Sequence, residues 1–163
     1  MNIILTGMPG AGKSTIGPAL AARLGMGFAD TDTLMKRETG RELKEIVASQ
    51  GFEAFLKLQE ETILAMEPVN TVIATGGSVV CSGPSILHLK KDGKVVYLKQ
   101  DFEAIEKRLS PDRRLARSAG KSLEEVYAER SPLYEKYADI SVDCADKSVE
   151  AIINEICRQM TGL

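Results

Sequence analysis

Gly7-Met8-Pro9-Gly10-Ala11-Gly12-Lys13-Ser14 follows the apolar run Ile3-Ile4-Leu5 and leads into Ile16, Ala19, Leu20 and Leu24 at helical spacing. The octapeptide satisfies G-x-x-x-x-G-K-[ST] in full. A short buried strand is predicted before it, and a helix over about 13–24 after it, stopped by Gly25. Glycines at this spacing let backbone N–H groups turn inward around a pyrophosphate, and the helix N-terminus adds favourable potential for an anion. In this reading Gly10, Ala11, Gly12, Lys13, Ser14 and Thr15 face a nucleotide, with Lys13 reaching the transferred phosphate and Ser14 holding Mg²⁺.

Working outward, Phe28-Ala29-Asp30 reads as a second strand, and 33–38 and 42–66 as helical segments punctuated at Gly40 and Gly51. The β-rich runs Thr71-Val72-Ile73-Ala74-Thr75 and Val95-Val96-Tyr97-Leu98 flank a helix around 84–91. A helix over about 102–109 follows, then another opened by the capping-box spacing Ser122-Leu123-Glu124-Glu125 and running to about Tyr137. Ile140-Ser141-Val142 is a last strand and 149–160 a last helix. Strands alternating with helices predict an α/β fold: a central parallel sheet of about five strands with helices on both faces. No repeat or linker divides the chain, so 1–163 is expected to be one domain.

The 163 residues carry 44% apolar and 27% charged side chains, enough to bury a core without disulfide or metal support. Lys and Arg total 21 against 23 Asp and Glu, a net charge of −2, so no global field recruits nucleic acid or an anionic membrane. Anions must be met by local clusters. Five of the nine arginines, Arg108, Arg113, Arg114, Arg117 and Arg130, fall within 23 residues. Three cysteines without C-x-x-C spacing and a single histidine, His88, point to buried thiols rather than a metal or disulfide site. With no basic leader and an early apolar run broken by glycines and Lys13, the chain is expected to be cytoplasmic and free of a membrane span.

Asp30-Thr31-Asp32 stands at the end of the second strand. With the backbone still extended there, residues two apart project to one side, and both carboxylates face one space. One carboxylate would position Mg²⁺ and the other accept the proton of an attacking hydroxyl, the division of labour that phosphoryl transfer needs. The alternative is an Asp/Thr-rich helix cap. The segment from Arg108 to Lys121 mixes arginines with Ser, Pro and Gly between two helices, a composition suited to a mobile lid over about 109–121 that brings guanidinium groups to a transferring phosphoryl. Arg130, late in the next helix, is either a surface charge or a fork for a substrate carboxylate. The strands Thr71–Thr75 and Val95–Leu98 end in Gly76-Gly77 and Lys99-Gln100 rather than in a Walker-B aspartate, and no N-K-x-D guanine signature occurs. The pattern is therefore wrong for a motor or a switch.

These residues resemble the shikimate kinase family, small P-loop relatives of the nucleoside monophosphate kinases, over almost the whole chain. The resemblance rests on the loop continued through Ser14-Thr15-Ile16-Gly17, Asp30-Thr31-Asp32, Thr39-Gly40-Arg41, Gly76-Gly77, Val95–Leu98 and Arg130-Ser131-Pro132-Leu133-Tyr134. It implies a P-loop kinase fold, ATP and Mg²⁺, and a metal role for Ser14 and Asp30. It further implies catalytic roles for Lys13, Asp32 and Arg113, with Asp32 as base, and Arg108 along adenine. Asp32, Gly76, Gly77 and Arg130 would bind the acceptor, in a region over about 32–60 and beyond, and Arg130 would hold its carboxylate. In the lid, Arg114 and Arg117 are alternatives to Arg113. Two departures fall on acceptor recognition. The family's Phe-Arg-x-x-Glu reads Phe55-Leu56-Lys57-Leu58-Gln59, and its three-glycine turn reads Gly76-Gly77-Ser78.

The implied activity is ATP-dependent transfer of the γ-phosphate to a hydroxyl of a small hydroxy acid, shikimate first, with homoserine or a sugar acid behind it. A nucleotide-binding regulatory protein without turnover is the reading from another class. Retention of both aspartates and the lid arginines argues against it, because a binder needs no base. The expected partner is a small molecule, with no nucleic acid or membrane, and the expected state a monomer.

Overall fold

A computed structural model describes residues 1–109 and 120–162. The chain runs β1 (Asn2–Thr6), α1 (Lys13–Leu24), β2 (Gly27–Asp30), α2 (Thr31–Thr39), α3 (Leu43–Gln50), α4 (Phe52–Leu64) and β3 (Thr71–Ala74). After the 3₁₀ turn Val79–Cys81 come α5 (Gly83–Lys90), β4 (Gly93–Lys99), α6 (Phe102–Arg108), α7 (Leu123–Tyr137), β5 (Ile140–Asp143) and α8 (Val149–Met160). Among the described residues the predicted elements are all present, and the 3₁₀ turn is the one addition. Helix boundaries follow local chemistry. Ser82, Ser122 and Ser148 each accept a backbone N–H at a helix start, and Gly25 and Gly40 end α1 and α2 in the left-handed conformation.

The five strands form one parallel sheet in the order β2-β3-β1-β4-β5. β1 is central and buried throughout, which is why it reads as an unbroken apolar run. Its side chains alternate between two cores. Ile3 and Leu5 pack with Ile16 and Leu20 of α1 and Ile152 and Ile156 of α8. Ile4 packs with Ile63 of α4 and Ile86 and Leu89 of α5. Helices thus cover both faces. Asn2, buried at the start of β1, donates to Pro68 O at 2.8 Å and accepts from Thr71 N at 2.9 Å, aligning β1 with β3. No helix of the described residues is long and apolar enough to cross a membrane.

At the other side of the sheet Asp139 ties the entry of β5 to β4, accepting from Val95 N at 2.8 Å and Lys90 Nζ at 3.0 Å. Burial pushes its carboxyl up, but the Val95 N–H and the Lys90 ammonium outweigh it and hold it below the ordinary carboxylate value. A depressed folded-state pKa contributes stability above the unfolded value and loses it as pH falls through the folded one. Asp139→Ala is therefore expected to cost about 1–2 kcal/mol at pH 7. That difference should shrink in urea melts below about pH 4.

Candidate active site

The carboxyl ends of β1, β2, β3 and β4 open on one cavity of about 930 Å³. A crevice at this edge, where the chain crosses from one side of the sheet to the other, is where open α/β folds bind ligands. Every described residue predicted for the site lines it: Gly10 to Thr15, Asp30, Asp32, Gly76, Gly77, Arg108 and Arg130. Arg113, Arg114 and Arg117, and most of the lid expected over about 109–121, fall on 110–119, outside the described residues.

The loop wraps as the glycine spacing predicts. Gly10 and Gly12 adopt φ values of 82° and 102°, which side-chain-bearing residues rarely take, and Gly12 is the N-cap of α1. Lys13 lies across the loop, only 7% exposed, its ammonium donating to Gly7 O at 2.5 Å and Met8 O at 2.8 Å. Arg108 reaches back from the end of α6 to donate to Gly10 O at 3.1 Å.

The aspartate pair reaches the cavity by a different route from the one predicted. The backbone is not extended through Asp32: β2 ends at Asp30 and α2 begins at Thr31. Asp30 is the N-cap, its Oδ1 accepting from Asp32 N at 2.9 Å and Thr33 N at 3.1 Å. The cap leaves the second oxygen for the cavity. While Oδ1 caps, Oδ2 accepts from Ser14 Oγ at 3.5 Å, which sets two hard oxygen donors side by side at the mouth of the loop. Mg²⁺ takes one or two protein oxygens alongside phosphate and water, so the pair fits that ion. Asp32 is carried in the first turn of α2, its Oδ1 against Gly76.

The turn after β3 ties the acceptor side together. Gly76 N donates to the buried Thr31 Oγ1 at 2.9 Å, Gly77 O accepts from Tyr134 Oη at 2.6 Å, and Ser78 Oγ donates to Gln59 Oε1 at 3.0 Å. Three successive residues thus bind three different helices: α2 with Asp32, α7 with Arg130, and α4. The fit at Gly77 is tight, since a Cβ there would stand 2.5 Å from Pro9 Cδ in the phosphate loop.

Arg130 is 5% exposed and lies one helical turn before Tyr134. Tyr134 stacks on Tyr97 with ring centroids 5.2 Å apart. Burial pushes the Tyr134 hydroxyl far above its ordinary value, against the opposing pull of the Arg130 cation, so it stays a neutral donor to Gly77. Burial likewise pushes Tyr97 up to about 12. The burial of Arg130 excludes the alternative of a solvated surface charge.

Leu56, at the position of the family's arginine, does not face the cavity. It packs on the small Met35–Ile46–Phe55 cluster and is absent from the described cavity lining. The wall on that side is built by Phe52, Phe55 and Leu43. Thr31, Gln59 and Tyr134 bond to the turn after β3 from behind, and although each lies inside a stretch quoted from the sequence, nothing in that stretch signals the bond. Tyr134 does stand four residues after Arg130, one helical turn away.

A glycine-rich phosphate loop between β1 and α1, facing carboxylates and a buried arginine across one crevice, marks an ATP-dependent phosphotransferase of the P-loop class. The family model for shikimate kinase matches residues 9–161. A shikimate kinase of Caldanaerobacter subterraneus subsp. tengcongensis is 38% identical over 162 residues, covering 96% of this chain and 94% of that protein. One of Francisella tularensis subsp. novicida is 39% identical over 161 residues, covering 95% and 92%. Among solved structures, shikimate kinase from Acinetobacter baumannii in complex with shikimate superposes with a TM-score of 0.88 at 28% identity, covering 99% of this chain and 93% of that one. That from Aquifex aeolicus gives 0.84 at 29% identity, covering 99% and 97%. The chain belongs to the shikimate kinase family.

Proposed function

We propose that this chain transfers the γ-phosphoryl group of ATP to a hydroxyl of shikimate, with Mg²⁺. The observation that carries this reading is that one cavity is lined both by the phosphate loop and by Asp32, Gly76, Gly77 and Arg130. A nucleotide and an acidic acceptor can therefore meet in a single space. The family relationship and the shikimate-bound neighbour support the choice of acceptor.

Arg130 pairs with the acceptor carboxylate and sets its orientation. Asp32 accepts the proton of the hydroxyl as its oxygen bonds to the γ-phosphorus, and the bond from that phosphorus to the β–γ bridging oxygen breaks to release ADP. The loop N–H groups and Lys13 hold the phosphates and balance the charge that shifts onto the leaving group. Ser14 and Asp30 would hold Mg²⁺, which neutralises phosphate charge when bound. Arg108 would lie along the adenine. The same reading takes the chain as one domain, with its acceptor region over about 32–60.

Coupled ADP release tests this with shikimate, homoserine, gluconate and nucleoside monophosphates, in Mg²⁺ and after chelation. Saturable turnover with shikimate at a micromolar-to-millimolar KM, lost on chelation, is the expected result. Faster turnover with another acid reassigns the acceptor, and no acceptor-dependent turnover removes the enzymatic reading.

A further inference from the structure

Gln59, on α4, is 2% exposed and anchored at one end by Ser78 Oγ, which donates to its Oε1. At the other end Nε2 is buried with no hydrogen-bond partner among the described residues. Gly76 locates that end. A Cβ on this glycine would stand 3.0 Å from Gln59 Nε2 and 2.5 Å from Asp32 Oδ1. The amide donors and the carboxylate therefore flank one gap, which exists because residue 76 has no side chain. Electrostatics gives the amide its direction: reversed, its carbonyl would face the Asp32 carboxylate, whereas the nitrogen offers a donor to an anion. Buried donors are rarely left unused in native proteins, so an orphan beside the proposed base has a partner to find.

We infer that Gln59 is a positioning residue for phosphoryl transfer. Held at its carbonyl by Ser78, it brings its amide N–H to one oxygen of Asp32 across Gly76 through a small side-chain shift, and this turns the other oxygen to the acceptor hydroxyl. The inference rests on the reading of Asp32 as the base. It also gives a purpose to two residues at which the chain departs from the family pattern. Ser78 and Gln59 act as a neutral pair, in which the serine aims the amide.

Three variants separate this role from simple packing. Gln59→Met keeps the volume and removes the donors, and is expected to lower kcat about tenfold or more while the KM for ATP stays unchanged. Gln59→Glu keeps the acceptor for Ser78 but sets a second carboxylate beside Asp32, and is expected to be slower than Gln59→Met. Ser78→Ala leaves the glutamine in place with its carbonyl released, and is expected to lower kcat less, in the same direction. Thermal midpoints accompany the kinetics, because a packing role moves Tm rather than kcat. A readout independent of the acceptor is the side-chain amide ¹H–¹⁵N resonance pair of Gln59, expected to shift between wild type and Asp32→Asn. The assignment is overturned if Gln59→Met retains wild-type kcat, if Gln59→Glu is at least as fast as Gln59→Met, or if that resonance pair ignores Asp32→Asn. Failure of the proposed acceptor is read separately, from wild-type turnover across the panel.

Discussion

Asp32→Asn is expected to lower acceptor-dependent ADP release by about 10²–10⁴-fold while leaving ATP affinity nearly intact. The substitution is close to isosteric, and the structure removes its usual ambiguity. Capping of α2 is performed by Asp30, so the helix keeps its cap when Asp32 changes. The loss of first-turn charge costs only about 0.3–1 kcal/mol of helix-dipole stabilisation. What disappears is a proton acceptor facing the cavity at Gly76. Equilibrium ATP binding beside steady-state turnover checks the split. Parallel loss of both would reject Asp32 as the base and leave it a residue that shapes the nucleotide site.

Arg130→Met carries the second large effect, a rise in acceptor KM of about ten- to a hundredfold, corresponding to about 1.5–3 kcal/mol for a lost charge-assisted contact. Arg130 is buried beside Tyr134, which stacks on Tyr97. A flexible apolar replacement retains much of the packing and none of the fork. Arg130→Lys is expected to recover only part of the loss, because a point charge cannot pair two oxygens in one plane. KM for the acceptor and for ATP, measured on both variants, gives the answer. Unchanged acceptor KM in both would reassign the carboxylate's partner, and an equal rise for ATP would show that α7 supports the nucleotide loop instead.

The two halves of the site were unequally legible in the sequence. The phosphate loop is local: its glycine spacing, buried strand and following helix lie within a short stretch, and the helix predicted over 13–24 stands at Lys13–Leu24. The acceptor side is built from bonds between residues far apart, Thr31 with Gly76, Gln59 with Ser78 and Gly77 with Tyr134. No periodicity encodes such pairs. Asp30 and Asp32 show the limit most clearly. Both line one cavity, but the extended backbone assumed between them gives way to a helix that starts at Thr31, because Asp30 accepts two N–H groups and caps it. Leu56 shows another limit. The rotation of α4 turns Phe52 and Phe55 to the cavity and lays Leu56 on a neighbouring cluster, a choice set by tertiary packing.

The anchoring of Gly76, Gly77 and Ser78 to three separate helices bears on how such a protein changes over evolutionary time. The distance between the proposed base on α2 and the guanidinium on α7 is spanned by backbone in adjacent residues, bonded to Thr31 and Tyr134. One apolar wall of the cavity comes from Phe52, Phe55 and Leu43, which belong to a satellite cluster. Ruler and mould are thus separate parts: substitutions at Phe52, Phe55 or Leu43 can reshape the cavity wall without removing any bond that ties Gly76, Gly77 and Ser78 to their helices.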